Sequence, residues 1–212
     1  MAENLRLDRV CMGAKDVSVT AQWLQAVAGL NARESWLFRT GLVNRIAYSG
    51  GAAIEVMGVG FPGAEMVSPF VGQVYGRTIG GDRWITWTLQ TDDIDATASR
   101  LGLEVMDGWA MSSSGQPVEW KMAGIVEAFF SEPYLPYFVS YSNGNDAWRE
   151  RALEPAPVFD VSRIEIVGDA DRLRKWIGDA EVPVDVISGP AEIRSVVIKA
   201  DEEQIELRPG EG

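Results

Sequence analysis

The feature that most constrains the fold of this chain is an internal repeat. Three segments share one shape: an apolar strand, a short acidic turn, then an amphipathic helix. In the first, residues 5–14 read as the strand and Asp16 as the turn. Ala21, Trp23, Leu24, Val27 and Leu30 then recur at helical spacing. In the second, 83–90 lead into Asp92-Asp93 and a helix through Ile94, Ala98 and Leu101. In the third, 161–167 lead into Asp169 and Asp171 and a helix through Leu173, Trp176 and Ile177. A side-chain oxygen at each helix start can accept from free backbone N–H groups, and Gly29 and Gly102 stand where the first two helices should stop.

Strand-like stretches follow each helix. They are 33–39, 43–48 and 52–59 after the first, 105–111, 118–122 and 137–141 after the second, and 182–187, 193–199 and 204–207 after the third. The unit is therefore βαβββ, written three times. A glycine-rich connector, 61–82, has a short helix predicted at its centre, 70–77. A second connector, 143–160, is polar and then carries Pro155 and Pro157. The reading is an α+β fold of tandem βαβββ modules: paired modules over 1–145, a linker over 146–160, and a third, degenerate module over 161–212.

Composition removes several function classes. The chain has no histidine, so no histidine can ligate a metal or act as a base, and Cys11 alone allows neither an intrachain disulfide nor a thiolate zinc cluster. A formal net charge of −12 repels phosphate backbones, which argues against nucleic acid as a partner. The apolar runs are short and interrupted, so no membrane helix is expected. A cytoplasmic protein fits these features best.

Several stretches resemble the vicinal oxygen chelate (glyoxalase/bleomycin resistance/dioxygenase) superfamily, and more narrowly its glyoxalase-like domain proteins. Leu7-Asp8-Arg9-Val10 stands where the family writes L-D-H-V. Thr40-Gly41-Leu42-Val43-Asn44, Ile54-Glu55-Val56-Met57-Gly58 and Thr91-Asp92-Asp93-Ile94-Asp95-Ala96 resemble three further family segments. Val118-Glu119-Trp120-Lys121 and Leu135-Pro136-Tyr137-Phe138 resemble two more. The likeness covers 5–142, with 161–208 as a degenerate copy. It implies that the first two modules pair into a curled sheet around a cleft. It also implies a metal held at four floor positions, which fall here on Arg9, Glu55, Thr86 and Ser140. Of these only Glu55 is a good ligand, because a guanidinium has no lone pair to offer. No cofactor and no metal are therefore expected.

Strand alternation extends these positions. Arg9 inward brings Leu7 and Cys11, Glu55 inward brings Ala53 and Met57, Thr86 inward brings Trp84 and Thr88, and Ser140 inward brings Phe138. Ile85, Val139 and Tyr141 then fall on the other face, while the sides of Asn44, Trp120 and Lys121 stay open. The candidate ligand-binding residues are Arg9, Asn44, Glu55, Met57, Trp84, Thr86, Thr88, Trp120, Phe138 and Ser140. Arg9 and Glu55 are expected to meet as a charge pair.

Three functions follow. The first is metal-independent binding of a small organic molecule, aromatic or bearing a carbonyl or carboxylate. The second is a metal-independent isomerase or lyase with Glu55 as base and Arg9 as oxyanion stabiliser. The third is a non-catalytic assembly or regulatory module that uses the third repeat as its surface, either covering a sheet edge or making a homodimer contact.

Overall fold

A computed structural model describes residues 4–38, 40–48, 51–112, 115–141, 159–200 and 202–210. Residues 146–158 of the proposed linker lie outside the described residues, and its last two, Phe159 and Asp160, open a strand. The first module is β1 (Leu5–Gly13), α1 (Val17–Ala28), β2 (Arg33–Leu37), β3 (Leu42–Tyr48) and β4 (Ala53–Val59). A 3₁₀ turn (Ala64–Met66) and α2 (Pro69–Thr78) occupy the first connector. The second module is β5 (Arg83–Thr91), α3 (Ile94–Leu101), β6 (Val105–Ser112), β7 (Pro117–Ala123) and β8 (Tyr137–Tyr141), with a π-helical turn (Val126–Ser131) before β8. The third is β9 (Phe159–Val167), α4 (Ala170–Ile177), β10 (Val184–Ile187), β11 (Glu192–Ala200) and β12 (Glu203–Leu207).

The repeat is carried by its punctuation. The carboxylates of Asp16, Asp93 and Asp169 accept from backbone N–H groups in the first turns of α1, α3 and α4. Gly29 and Gly102 end α1 and α3 in the left-handed conformation that a glycine adopts without cost. In both leading modules the last strand pairs parallel with the first, β1 with β4 and β5 with β8. The modules then join twice, through β1–β5 and through β2–β6, and the eight strands close into a barrel in the order β1-β4-β3-β2-β6-β7-β8-β5.

The third module repeats the element order with a different pairing. Its sheet runs β10-β9-β11-β12, so α4 leads directly to a parallel neighbour of β9, and β11 takes the other side. Because the barrel is closed between β1 and β5, no sheet edge is left there to cover. The third module instead lies on the barrel's outer face. Phe159, Ile164, Trp176 and Val196 belong to one continuous core with Val10, Ile54, Trp87 and Leu89. Two buried indoles cross the junction, Trp84 Nε1 donating to Leu207 O (3.2 Å) and Trp176 Nε1 to Pro136 O (2.7 Å), while Trp87 Nε1 donates to Tyr134 O within the second module (2.9 Å). Each offers its single N–H to a carbonyl, so no buried indole donor is wasted.

Two irregularities in β1 decide what the barrel contains. The register against β5 slips between Leu7 and Arg9, and again between Cys11 and Met12. A bulge inserts a residue and changes which neighbours share a face. At the first slip, Leu7 packs with the outer core, while Asp8 and Arg9 both turn inward. At the second, Met12 pairs with Trp84 on the outside, and Ile85 joins Cys11 and Met57 inside.

Candidate functional site

The barrel floor is a buried ionic cluster centred on Arg9. Its guanidinium donates through Nε to Asp8 Oδ2 (2.7 Å), through Nη1 to Glu55 Oε2 (3.0 Å) and through Nη2 to the Tyr141 hydroxyl. The expected Arg9–Glu55 pair is thus present, and a second carboxylate shares the same arginine. Asp8 Oδ2 also accepts from Thr88 Oγ1 (3.0 Å) and from Tyr141 Oη (3.1 Å). Glu55 Oε1 accepts from Asn44 Nδ2 (2.6 Å), and the Cys11 thiol lies 3.5 Å from Glu55 Oε2. Asp8, Glu55 and Arg9 are 0%, 3% and 4% exposed.

Burial opposes the charge on Arg9. The oxygens of Asp8, Tyr141 and Glu55 outweigh it and hold the guanidinium pKa well above its ordinary value. Burial, reinforced by the Glu55 charge, pushes the Cys11 thiol up, which suits an inert buried hydrophobe and not a nucleophile. Burial also raises the Tyr137 hydroxyl well above its usual range.

Above this floor the barrel holds a cavity of about 470 Å³. Strands of both modules supply its walls, including Met57, Met106, Trp120, Met122, Tyr137 and Val139. The mouth comes from segments outside the strands: Phe70 from α2, and Ile125, Val126 and Phe130 around the π-helical turn. Those two segments are locked together. Phe70 stacks on Phe129 at 4.3 Å, and Arg77 lies 4.9 Å above the Phe129 ring while donating to the carbonyls of Ile85 and Phe129. Gly108 opposes Trp120 on the paired strand, and a Cβ there would stand 2.1 Å from the indole, so glycine is what lets Trp120 lie flat across β6.

The sequence pattern of the Glyoxalase-like domain family matches residues 7–181, most of the chain and nearly all of the barrel. The chain belongs to that family. Among solved structures, this glyoxalase-like protein is similar to a hypothetical protein from Staphylococcus aureus. The two are 13% identical with a TM-score of 0.75, over 94% of this chain and 92% of that one. That similarity extends the likeness of fold to nearly the whole chain. Two methylmalonyl-CoA epimerases also match. A variant of the Streptomyces coelicolor enzyme, in complex with 2-nitronate-propionyl-CoA, is 15% identical over 65% of this chain and 98% of its own, TM-score 0.46. The Mycobacterium tuberculosis enzyme is 12% identical over 64% and 86%, TM-score 0.45. No curated protein matches the chain.

The residues of this glyoxalase-like protein do not suit the metal that its superfamily resemblance implies. Arg9 fills one of the four floor positions and is bonded to the only carboxylate among the other three. A cation bound by Glu55 would have to displace that guanidinium. Thr86 supplies only a hydroxyl, and Ser140 lies on the opposite face of β8 from Val139 and Tyr141, which line the cavity. Among the described residues no three His, Cys, Asp or Glu side chains form a metal-holding group.

Other expected positions divide cleanly. Arg9, Glu55, Met57 and Trp120 line the cavity, and Asn44 and Thr88 support its floor. Thr86 is inside and fully buried but lies apart from the cavity lining, and its hydroxyl has no hydrogen-bond partner among the described residues. Trp84 is not in the barrel, because the second bulge turns it toward Leu207. Phe138 and Ser140 are not in it either. Phe138 packs on Trp176 with ring centres 5.9 Å apart, and that outer contact sets the register of β8, so Tyr137, Val139 and Tyr141 face inward. Leu7 is likewise outside, while Ile85 is inside. Lys121 points out to Asp95 on α3 (3.9 Å). Asp8 and Tyr141 are the members of the floor cluster that the alternation missed. The Asp8-Arg9 pair of charges beside a family motif was the signal for the first.

Proposed function

We propose that this glyoxalase-like protein binds a small, largely apolar organic molecule in the barrel cavity, and does so without a metal. The observation that carries this reading is the cavity itself: about 470 Å³ of space walled largely by aromatic and methionine side chains, with Arg9, Glu55 and Tyr141 clustered at its floor. A volume of that order with a few convergent polar groups is the usual make-up of a small-molecule site. The ligand's apolar body would lie between Trp120, Met122 and Phe70, with its polar end toward Arg9, Glu55 and Tyr141.

The isomerase or lyase reading is less well supported by the same geometry. Glu55 accepts from Arg9 and Asn44 and has the Cys11 thiol close by, so both of its oxygens are already engaged. The assembly reading rested on the third repeat, whose apolar surface is spent inside the chain against the barrel. The lone buried cysteine suits a reducing compartment, and we take the protein to act in the cytoplasm. Among the described residues no helix is long and apolar enough to cross a membrane.

Nile red, a neutral aromatic dye whose emission shifts to the blue in apolar surroundings, tests the proposal. It should bind with one-to-one stoichiometry, and Trp120→Ala should weaken binding about tenfold, as loss of a central aromatic anchor does. Absence of saturable binding, or binding that ignores Trp120→Ala in a folded variant, would overturn the reading.

A further inference from the structure

One hydroxyl in the cavity narrows the class of ligand, on the reading that the cavity is a binding site. Tyr137 opens β8, pairs with Thr88 of β5 and lines the cavity. Burial is the largest influence on its hydroxyl, and the charged groups that act on it are Arg9, Glu55 and Asp8, so it stands toward the floor. The side chain as a whole is only half-buried. Both facts hold together because its open surface looks into the barrel and not into bulk water.

The neighbouring hydroxyls are engaged: Thr88 and Tyr141 both donate to Asp8. The Tyr137 hydroxyl has no hydrogen-bond partner among the described residues. Thr86 also lacks one, but its hydroxyl is sealed away from the cavity, whereas Tyr137 faces it. A hydrogen bond left unmade in a water-poor site is costly. Water can supply it while the barrel holds no ligand, and a ligand that displaces this water must replace the bond or forfeit it. A site built around such a bond discriminates against an analogue that lacks the matching atom.

The matching atom is an acceptor. Burial holds the Tyr137 pKa well above the usual range, so the oxygen keeps its proton. A phenol also donates better than it accepts, because its ring draws on the oxygen lone pair. Arg9 is less available for the same task, since its N–H groups already serve Asp8, Glu55 and Tyr141.

We infer that Tyr137 is a specificity-determining residue, whose hydroxyl donates to the carbonyl oxygen of an otherwise apolar ligand.

The test compares acetylnaphthalene with isopropenylnaphthalene, which puts a CH₂ group in place of the carbonyl oxygen at nearly the same shape. Displacement of Nile red measures both affinities, in the parent and in Tyr137→Phe, which removes the hydroxyl and keeps the ring. The two compounds differ in hydrophobicity, so the quantity read is the ratio of their affinities. That ratio, ketone over alkene, should fall about tenfold from parent to variant. Infrared spectroscopy gives a second readout. The carbonyl stretch of the ketone bound to the parent should lie below its position in hexane, and Tyr137→Phe should move it back, which a merely structural hydroxyl would not do. A ratio unchanged in the folded variant overturns the inference and leaves the cavity reading intact. A carbonyl band at the hexane position does the same, and that measurement needs only the unaltered protein. Failure of both compounds to displace bound Nile red also overturns the inference alone. If Nile red itself finds no saturable site, the cavity reading falls and this inference with it.

Discussion

Replacing Arg9 by methionine should strongly destabilise the protein, because it removes one cation from two buried anions. Arg9 Nε lies 2.7 Å from Asp8 and Nη1 lies 3.0 Å from Glu55, with the exposure of all three side chains at 4% or less. Breaking a buried pair by deleting one partner costs about 3–5 kcal/mol, most of it the cost of leaving an uncompensated charge. Taking about 4 kcal/mol, and about 2–4 °C per kcal/mol for a domain of this size, the melting temperature should fall by about 8–16 °C. The cost is not doubled by the second carboxylate, since one of the two can take up a proton. Urea denaturation of four proteins measures this: the parent, Arg9→Met, Arg9→Met with Glu55→Gln, and those two changes together with Asp8→Asn. The double variant should recover only part of the loss, because Asp8 has still lost the arginine. The triple variant should recover most of it. A loss below about 1 kcal/mol on Arg9→Met, or a double variant as stable as the triple, would refute the three-membered cluster.

Other consequences follow from particular contacts. Gly108→Ala places a Cβ where Trp120 now lies, 2.1 Å from the ring, so Nile red affinity should drop about tenfold with the fold intact by circular dichroism; unchanged affinity would count against Trp120 as a wall of the site. Trp176→Ala removes a buried ring that packs on Phe138 and donates to Pro136, and should cost about 3–5 kcal/mol in calorimetry. Burial raises the hydroxyls of Tyr48 and Tyr137 above the ordinary value of 10.0. The folded chain then keeps protons that the unfolded chain releases, so stability should fall as pH rises past that value. Absorbance titration of tyrosinate in native and denatured protein checks the sign, with the native chain expected to ionise fewer tyrosines at the same alkaline pH.

Much of the fold was legible because it is written in local signals. Aspartate caps and glycine stops marked the helices, and the repeat itself announced the tandem modules. The Arg9–Glu55 contact was legible because two motifs placed both side chains at one floor position. What escaped was non-local. The period of two cannot foresee a bulge, and the bulge at Asp8 brings a second carboxylate onto Arg9. The β8 register depended on Phe138 finding Trp176, a residue of another module far along the chain. Phe70 and Phe130 reach the cavity from a connector helix and a π-helical turn, where no strand pattern applies. The third module's element order was readable, but its strand order depends on which partner β9 finds in space.

The central claim is that the barrel interior is a ligand site, and a crystal structure of the protein grown with naphthylmethanol tests it most directly. The account predicts electron density for the ring system between Trp120, Met122 and Phe70, with the hydroxyl directed to the Arg9–Glu55–Tyr141 floor. Density only at the protein surface, with the barrel cavity closed by its own side chains, would contradict it.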